Sequence, residues 1–305
     1  MFCAALAVGL SSPVVLAQSL TQRIANHQAD EWHKWAAEKN WGAANHECNV
    51  MSHAPALPSR IEAERCLATV ALESGESPAV AGTSAAGSTA PVIMVYAPAS
   101  VDEALVHWNK GIDLAPQDLA MYTSRMNVLF VSGRYAQMVP ALEDSVARYK
   151  GADALSSWLK VDNDLYAAHQ VPTALKFAEA LDKHYPKSIP VELNLAKFHN
   201  ELKEPDQALP YLQAAYDAAP TDAVVAWNLG MTYNNLAKLT LADEYFQKAI
   251  TLDARGEGVP DRNCIYGEFT ETKLKDKVKA CTLEKASCPF ERQTACKIPS
   301  PVKRK

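Results

Sequence analysis

Cysteine is the residue type with the widest chemical reach in this chain, and its spacing decides what it can do. There are seven cysteines. Cys3 sits in an apolar start, and the other six are Cys48, Cys66, Cys264, Cys281, Cys288 and Cys296. A structural zinc site wants paired cysteines two to four residues apart, whereas the four in the last stretch follow one another at intervals of 17, 7 and 8 residues. No CxxC redox motif or CxxCH haem motif occurs. An even number suits disulfides in an oxidising compartment. Six cysteines admit fifteen pairings. The favoured one joins Cys48 to Cys66 across a proline-bearing turn and pairs the other four near the C-terminus.

The remaining chemistry is thin. The eight histidines form no HExxH pair, and no GxSxG nucleophile elbow appears. His27, His33, His46 and His53 are spread through the N-terminal segment, and His199 falls where a packed side chain is expected. Gly82 and Gly87 with Ser88 and Thr89 approach a phosphate-binding loop. The lysine that reaches the outer phosphates is missing, and Pro91 opposes the helix that must follow. We expect no catalytic residues, no cofactor and no metal site.

Behind these residues lies a repeat. Ala174, Ala208 and Ala242 are 34 residues apart, as are Ala178, Leu212 and Phe246, and Leu181, Ala215 and Ala249. Pro186 and Pro220 close two of the blocks. Such a period marks stacked helical hairpins, each too small to bury its apolar face alone. The clearest block runs from Ala223 to Ala254. It resembles the tetratricopeptide repeat, whose Leu-Gly, Tyr, Ala, Phe and Ala stand here as Leu229, Gly230, Tyr233, Ala242, Phe246 and Ala249. Trp227 lies one place later than the family's aromatic, and Ala254 replaces the usual proline. Blocks 189–222 and 155–188 follow the same register, the second with Trp158. Block 119–152 is offset by two residues and carries Gly133-Arg134-Tyr135 at the inter-helix turn, with Met138 where alanine is usual. Before it only a second helix is clear, with Ala104, Trp108 and Pro116, opening on Ser100 and Glu103 as a capping box.

The resemblance implies an all-α, right-handed solenoid of helical hairpins over residues 101–256, whose first helices line a concave face. By that resemblance the lining includes Asn127, Lys160, Asn163, Asn194, Lys197, Asn228, Met231 and Asn235. Amides and ammoniums can hydrogen-bond a peptide backbone or a terminal carboxylate. The arginine of the family's carboxylate clamp is absent.

The flanks differ in composition. Residues 1–17 are apolar and uncharged, too short for a membrane span, and Val15-Leu16-Ala17 before Gln18 reads as a signal-peptide cleavage site, although no Lys or Arg precedes it. Residues 18–73 read as a helical segment, with Trp32, Trp35 and Trp41 among charges and a helix over 59–73. Residues 74–100 read as a Gly/Ser/Ala/Pro-rich loop or linker, and 257–305 as a cysteine-rich tail. A net charge of −5 and 48% hydrophobic residues give no basis for nucleic-acid binding. The expected function is a non-catalytic, secreted or periplasmic scaffold that binds a protein or peptide, without stable membrane insertion. The alternatives are an assembly factor of a cell-envelope complex acting through the tail, and an enzyme with its site outside the repeats.

Overall fold

A computed structural model describes residues 13–79, 93–253 and 262–287. The chain divides into two compact units, 1–157 and 158–305.

The first unit begins with α1 (Pro13–Ala37), α2 (Trp41–Ser52) and α3 (Leu57–Ser74). The tryptophan-rich segment is thus a helix pair. Lys39 takes φ 55° in the turn between them, and Asn40 caps α2 by accepting from the Ala43 N–H. Trp32 is buried with Ala44, Cys48, Met51, Ala63, Cys66 and Val70, and its indole N–H donates to Glu62 at 3.0 Å. A disulfide joins Cys48 to Cys66 with Cα atoms 5.5 Å apart, inside this cluster. It is the pairing expected from the sequence. Residues 1–12 of the apolar start lie outside the described residues.

The stretch expected to be a plain loop contains two short strands, β1 (Glu76–Ala79) and β2 (Ile93–Tyr96). They pair antiparallel with Glu76 opposite Tyr96. The pairing brings the ends of the insertion together, so that α3 packs on α4 (Pro98–Leu114) as a helical hairpin. The phosphate-loop-like residues between the strands lie outside the described ones. The expected capping box does not form. Ala97 is the N-cap residue and Pro98 opens the helix, because proline's fixed φ suits the first turn and its missing N–H costs nothing there. Ser100 instead packs inside that turn, where a Cβ on Gly75 would strike its hydroxyl. The unit continues with α5 (Leu119–Val131), capped by Asp118, and α6 (Met138–Arg148) after a 3-10 turn at Tyr135–Gln137.

Helix α7 (Ala154–Ala167) spans the boundary. The second unit then runs through α8 (Val171–His184), α9 (Ile189–Glu201), α10 (Pro205–Ala218), α11 (Ala223–Asn235) and α12 (Leu239–Leu252). All nine alanine, leucine and phenylalanine positions of the 34-residue register are buried. The reason is visible at Gly230, where an added Cβ would lie 2.6 Å from Phe246 Cδ1. A small residue is needed for the helices to approach closely enough for the phenylalanine to fill the gap. Burying one such side chain contributes about 1.5–3 kcal/mol.

A second period appears in the backbone. Gly133, His169, Lys203 and Ala237 all take positive φ, 71°, 59°, 64° and 57°. After each, the next N–H reaches back to close the helix: Arg134 to Leu129 O, Gln170 to Leu165 O, Glu204 to His199 O and Lys238 to Tyr233 O. These are Schellman closures, and only the first uses glycine.

The segment read as a tail forms a further helical hairpin, α13 (Arg262–Thr272) and α14 (Lys277–Ser287). Tyr266 and Phe269 pack against Phe246, one tilted and one edge-on, with ring centroids 5.5 and 5.2 Å apart, joining the core of α11 and α12. Gly267 approaches Ala280 and Glu284 as Gly230 approaches Phe246. Buried Arg262 pairs with Asp253 at 2.6 Å, and Lys279 pairs with Asp243 at 2.7 Å. Burial works against the Asp243 carboxylate, but the bonds from Lys279, Tyr266 and Gln247 outweigh it and hold its pKa below the usual value. Cys264 and Cys281 are disulfide-bonded, while Cys288 and Cys296 lie outside the described residues.

Candidate functional site

The face built by the first helices of the second unit carries seven of the eight residues expected to line a groove. The eighth, Asn127, is exposed on α5 in the first unit. The seven alternate with apolar residues because each first helix must bury one side, such as Leu195 and Ala196 or Leu229 and Gly230, and leave the other polar.

Hydrogen bonds tie successive first helices together. Asn194 on α9 donates to the Asp162 carboxylate on α7 at 2.8 Å, and Tyr166 on α7 donates to Glu201 on α9 at 3.1 Å. Asn200 donates to Thr232 on α11 at 2.7 Å, while Asn235 donates back to Asn200 at 3.0 Å. Other amides bond within their own helix: Asn163 to Leu159 O and Asn228 to Val224 O, each at 2.8 Å. Each such bond uses one N–H and leaves the amide oriented with a second N–H and carbonyl lone pairs. Met231 is half-buried among them.

The two lysines are engaged differently. Lys160 pairs with Asp164 at 2.7 Å on the exposed surface of one helix, which contributes little. Lys197 folds its ammonium over the Tyr166 ring, 3.5 Å from the centroid, a cation–π contact. Burial lowers its pKa, and the charges of Asp162 and Glu201 oppose that shift.

Asp162 was not among the residues expected to matter. It is fully buried, and Oδ1 has no hydrogen-bond partner among the described residues. Burial raises its pKa from 3.8 to about 7, against the opposing effects of the Asn194 bond and the Lys197 charge. A signal was present in the sequence: the 34-residue register places Asp162 with Ala196 and Gly230, where close packing calls for a small residue. His199, expected to be a packed residue, is buried, stacked on Tyr211 and bonded to Glu204 at 2.9 Å.

The first unit has a cleft of about 370 Å³ lined by Ser52, Arg60, Glu64, Lys110, Asp113 and Leu114. Its two acids are paired, Glu64 with His107 at 2.6 Å and Asp113 with Arg148 at 2.7 Å. Among the described residues no His, Cys, Asp and Glu group could hold a metal ion, and no helix is long and apolar enough to cross a membrane.

Hairpins in a 34-residue register, closed by left-handed turns, define a helical-repeat protein. The tetratricopeptide repeat family profile matches residues 223–255, which contain α11 and α12. Among solved structures, the C-terminal part of a TPR repeat-containing protein from Cytophaga hutchinsonii is similar over 88% of this chain and 100% of that one, at 15% identity and a TM-score of 0.53. YrrB, described as a TPR protein with an unusual peptide-binding site, is similar over 51% of this chain and 79% of that one, at 19% identity and a TM-score of 0.37. MamA is similar over 51% of this chain and 90% of that one, at 13% identity and a TM-score of 0.37. No curated protein matches the chain. Residues 223–255 thus carry a tetratricopeptide repeat, within a chain whose helical-hairpin fold is similar to that of solved TPR structures.

Proposed function

We propose that this protein is an exported, non-catalytic scaffold that binds an extended peptide segment of a partner protein on the first-helix face of its second unit. The observation that carries the reading is the set of amides at Asn163, Asn194, Asn228 and Asn235, each fixed by one internal hydrogen bond. Fixed amides meet a peptide backbone without the entropy cost of ordering loose side chains. Export is supported by the disulfide between Cys48 and Cys66 and by the oxidised Cys264 and Cys281, which suit an oxidising compartment.

The test is capture from an envelope extract with the wild-type chain as bait, repeated with Asn194→Ala, Asn228→Ala and Asn235→Ala combined. Loss of the captured partner with helicity retained supports the reading. Equal capture by both baits contradicts it. If capture is instead lost on changing exposed α14 residues, recognition belongs to the C-terminal hairpin, where Val278 is 80% exposed.

A further inference from the structure

The turn between α13 and α14 reads Lys273-Leu274-Lys275-Asp276-Lys277-Val278-Lys279, four lysines and one aspartate in a chain whose net charge is −5. Its two apolar residues go different ways. Leu274 packs against the core that holds Phe246, whereas Val278 is 80% exposed, and no other large apolar side chain among the described residues exceeds 50%. A β-branched residue left in water at the start of a helix gains no packing and lowers helix propensity, so the fold gives no reason for it. The lysines divide in the same way. Lys279 turns inward to Asp243 and lies over Tyr266, 4.9 Å from the ring centroid. Lys273, Lys275 and Lys277 are exposed, and among the described residues none of them has an acidic partner. Lys277 opens α14, the helix end where the macrodipole disfavours a cation. Asp276, the acid of the turn, caps α14 by accepting from the Lys279 N–H at 3.0 Å. The other acids of the hairpin stand back from the tip: Glu284 is buried, and Glu268 and Glu271 lie within α13.

We propose that this tip docks the chain on an anionic lipid surface, with Lys273, Lys275 and Lys277 at the level of the lipid phosphates and Val278 between the headgroups. The tip is held in place before it docks: Lys275 takes φ 62°, and the Asp276 N–H donates to Thr270 O at 3.0 Å. Little entropy is then lost on binding. A stable protein interface buries about 1,200 Å² or more around packed anchors, which one valine among unpaired lysines does not supply. Lysine is a hydrated point charge on a flexible stem. It suits a fluid layer of phosphates, which attracts basic clusters whatever their exact geometry. The apolar tip flanked by cations fits the headgroup boundary, where an amphipathic surface lies without spanning the bilayer.

The test needs no peptide partner. The full oxidised chain is co-sedimented with vesicles of phosphatidylcholine alone, and of phosphatidylcholine and phosphatidylglycerol at about 3:1. The wild type is expected on the mixed vesicles and not on the neutral ones, with binding that falls as salt is added. Each lysine near an anionic surface tightens binding roughly fivefold, so Lys273→Gln, Lys275→Gln and Lys277→Gln combined should weaken it at least about tenfold. Val278→Ser should weaken it about threefold. Lys110→Gln, Lys176→Gln and Lys183→Gln combined remove the same charge from other exposed lysines. That control should bind like the wild type, and all variants should keep their helicity by circular dichroism. A wild-type chain that ignores the mixed vesicles, a tip variant that binds as well as the wild type, or a control weakened equally overturns the docking surface. Capture by polyglutamate beads but not by mixed vesicles overturns the lipid assignment in favour of an acidic protein. Unchanged binding by Val278→Ser overturns the part given to the valine.

Discussion

Replacing Asp162 by asparagine should make the second unit more stable at alkaline pH and leave it unchanged in acid. The buried acid has its pKa raised from 3.8 to about 7 by burial, so the folded chain binds this proton more tightly than the unfolded chain. The stability linked to the protonated acid is fully present below about pH 4 and is lost as pH rises through about 7. The interval from 3.8 to about 7, at about 1.36 kcal/mol per pH unit, bounds the loss at about 4 kcal/mol. Local relaxation and water penetration reduce it, so about 1–3 kcal/mol is the working expectation. Asparagine keeps the shape and the acceptor for Asn194 without the charge. The assay is native-state hydrogen exchange on peptides from α7 and α9, comparing both proteins at each pH so that intrinsic exchange cancels. Exchange is preferred to bulk melting because repeat arrays lose stability unit by unit. Asp243, whose pKa is lowered, pulls the pH dependence the opposite way, but it does so in both proteins. A difference that does not change with pH would refute the reasoning.

Three further outcomes follow from the packing. Gly230→Leu should destabilise by at least about 1–3 kcal/mol, since even a Cβ would lie 2.6 Å from Phe246; Leu57→Ala, at a residue 44% exposed, should cost less than about 1 kcal/mol, and equal shifts in thermal unfolding would contradict the register. Ala237→Gly should stabilise by about 0.5–1 kcal/mol, because Ala237 takes φ 57° where a Cβ is strained; a lowered melting temperature would contradict that. Alkylation without reductant should leave Cys48, Cys66, Cys264, Cys281, Cys288 and Cys296 unmodified. Opening the Cys48–Cys66 bridge, with its sequence separation of 18, should cost about 3 kcal/mol. Two or more alkylated cysteines would contradict the oxidised state.

The hairpin register was legible because close helix packing restricts certain positions to small residues, and Ala174, Ala208, Ala242 and Gly230 show that restriction directly. The turns were not legible, because His169, Lys203 and Ala237 adopt the left-handed conformation without being glycine. Helices α13 and α14 were missed because Gly267 falls 37 residues after Gly230, outside the 34-residue period. Their packing depends on a few large contacts, Tyr266 and Phe269 on Phe246, rather than on a long apolar pattern. At the candidate site, the family pattern names positions on the first helices. It does not say that Lys197 turns onto Tyr166 or that Asn194 is held by a buried acid, since both depend on contacts between repeats.

The central claim is that a partner peptide lies on the first-helix face of the second unit. A photo-crosslinking side chain placed at Met231, half-buried in that face, tests it most directly against the same group at Val278 on α14. The account predicts a crosslinked partner peptide from the Met231 position and none from Val278. Crosslinking from Val278 alone would move recognition to the C-terminal hairpin and contradict the account.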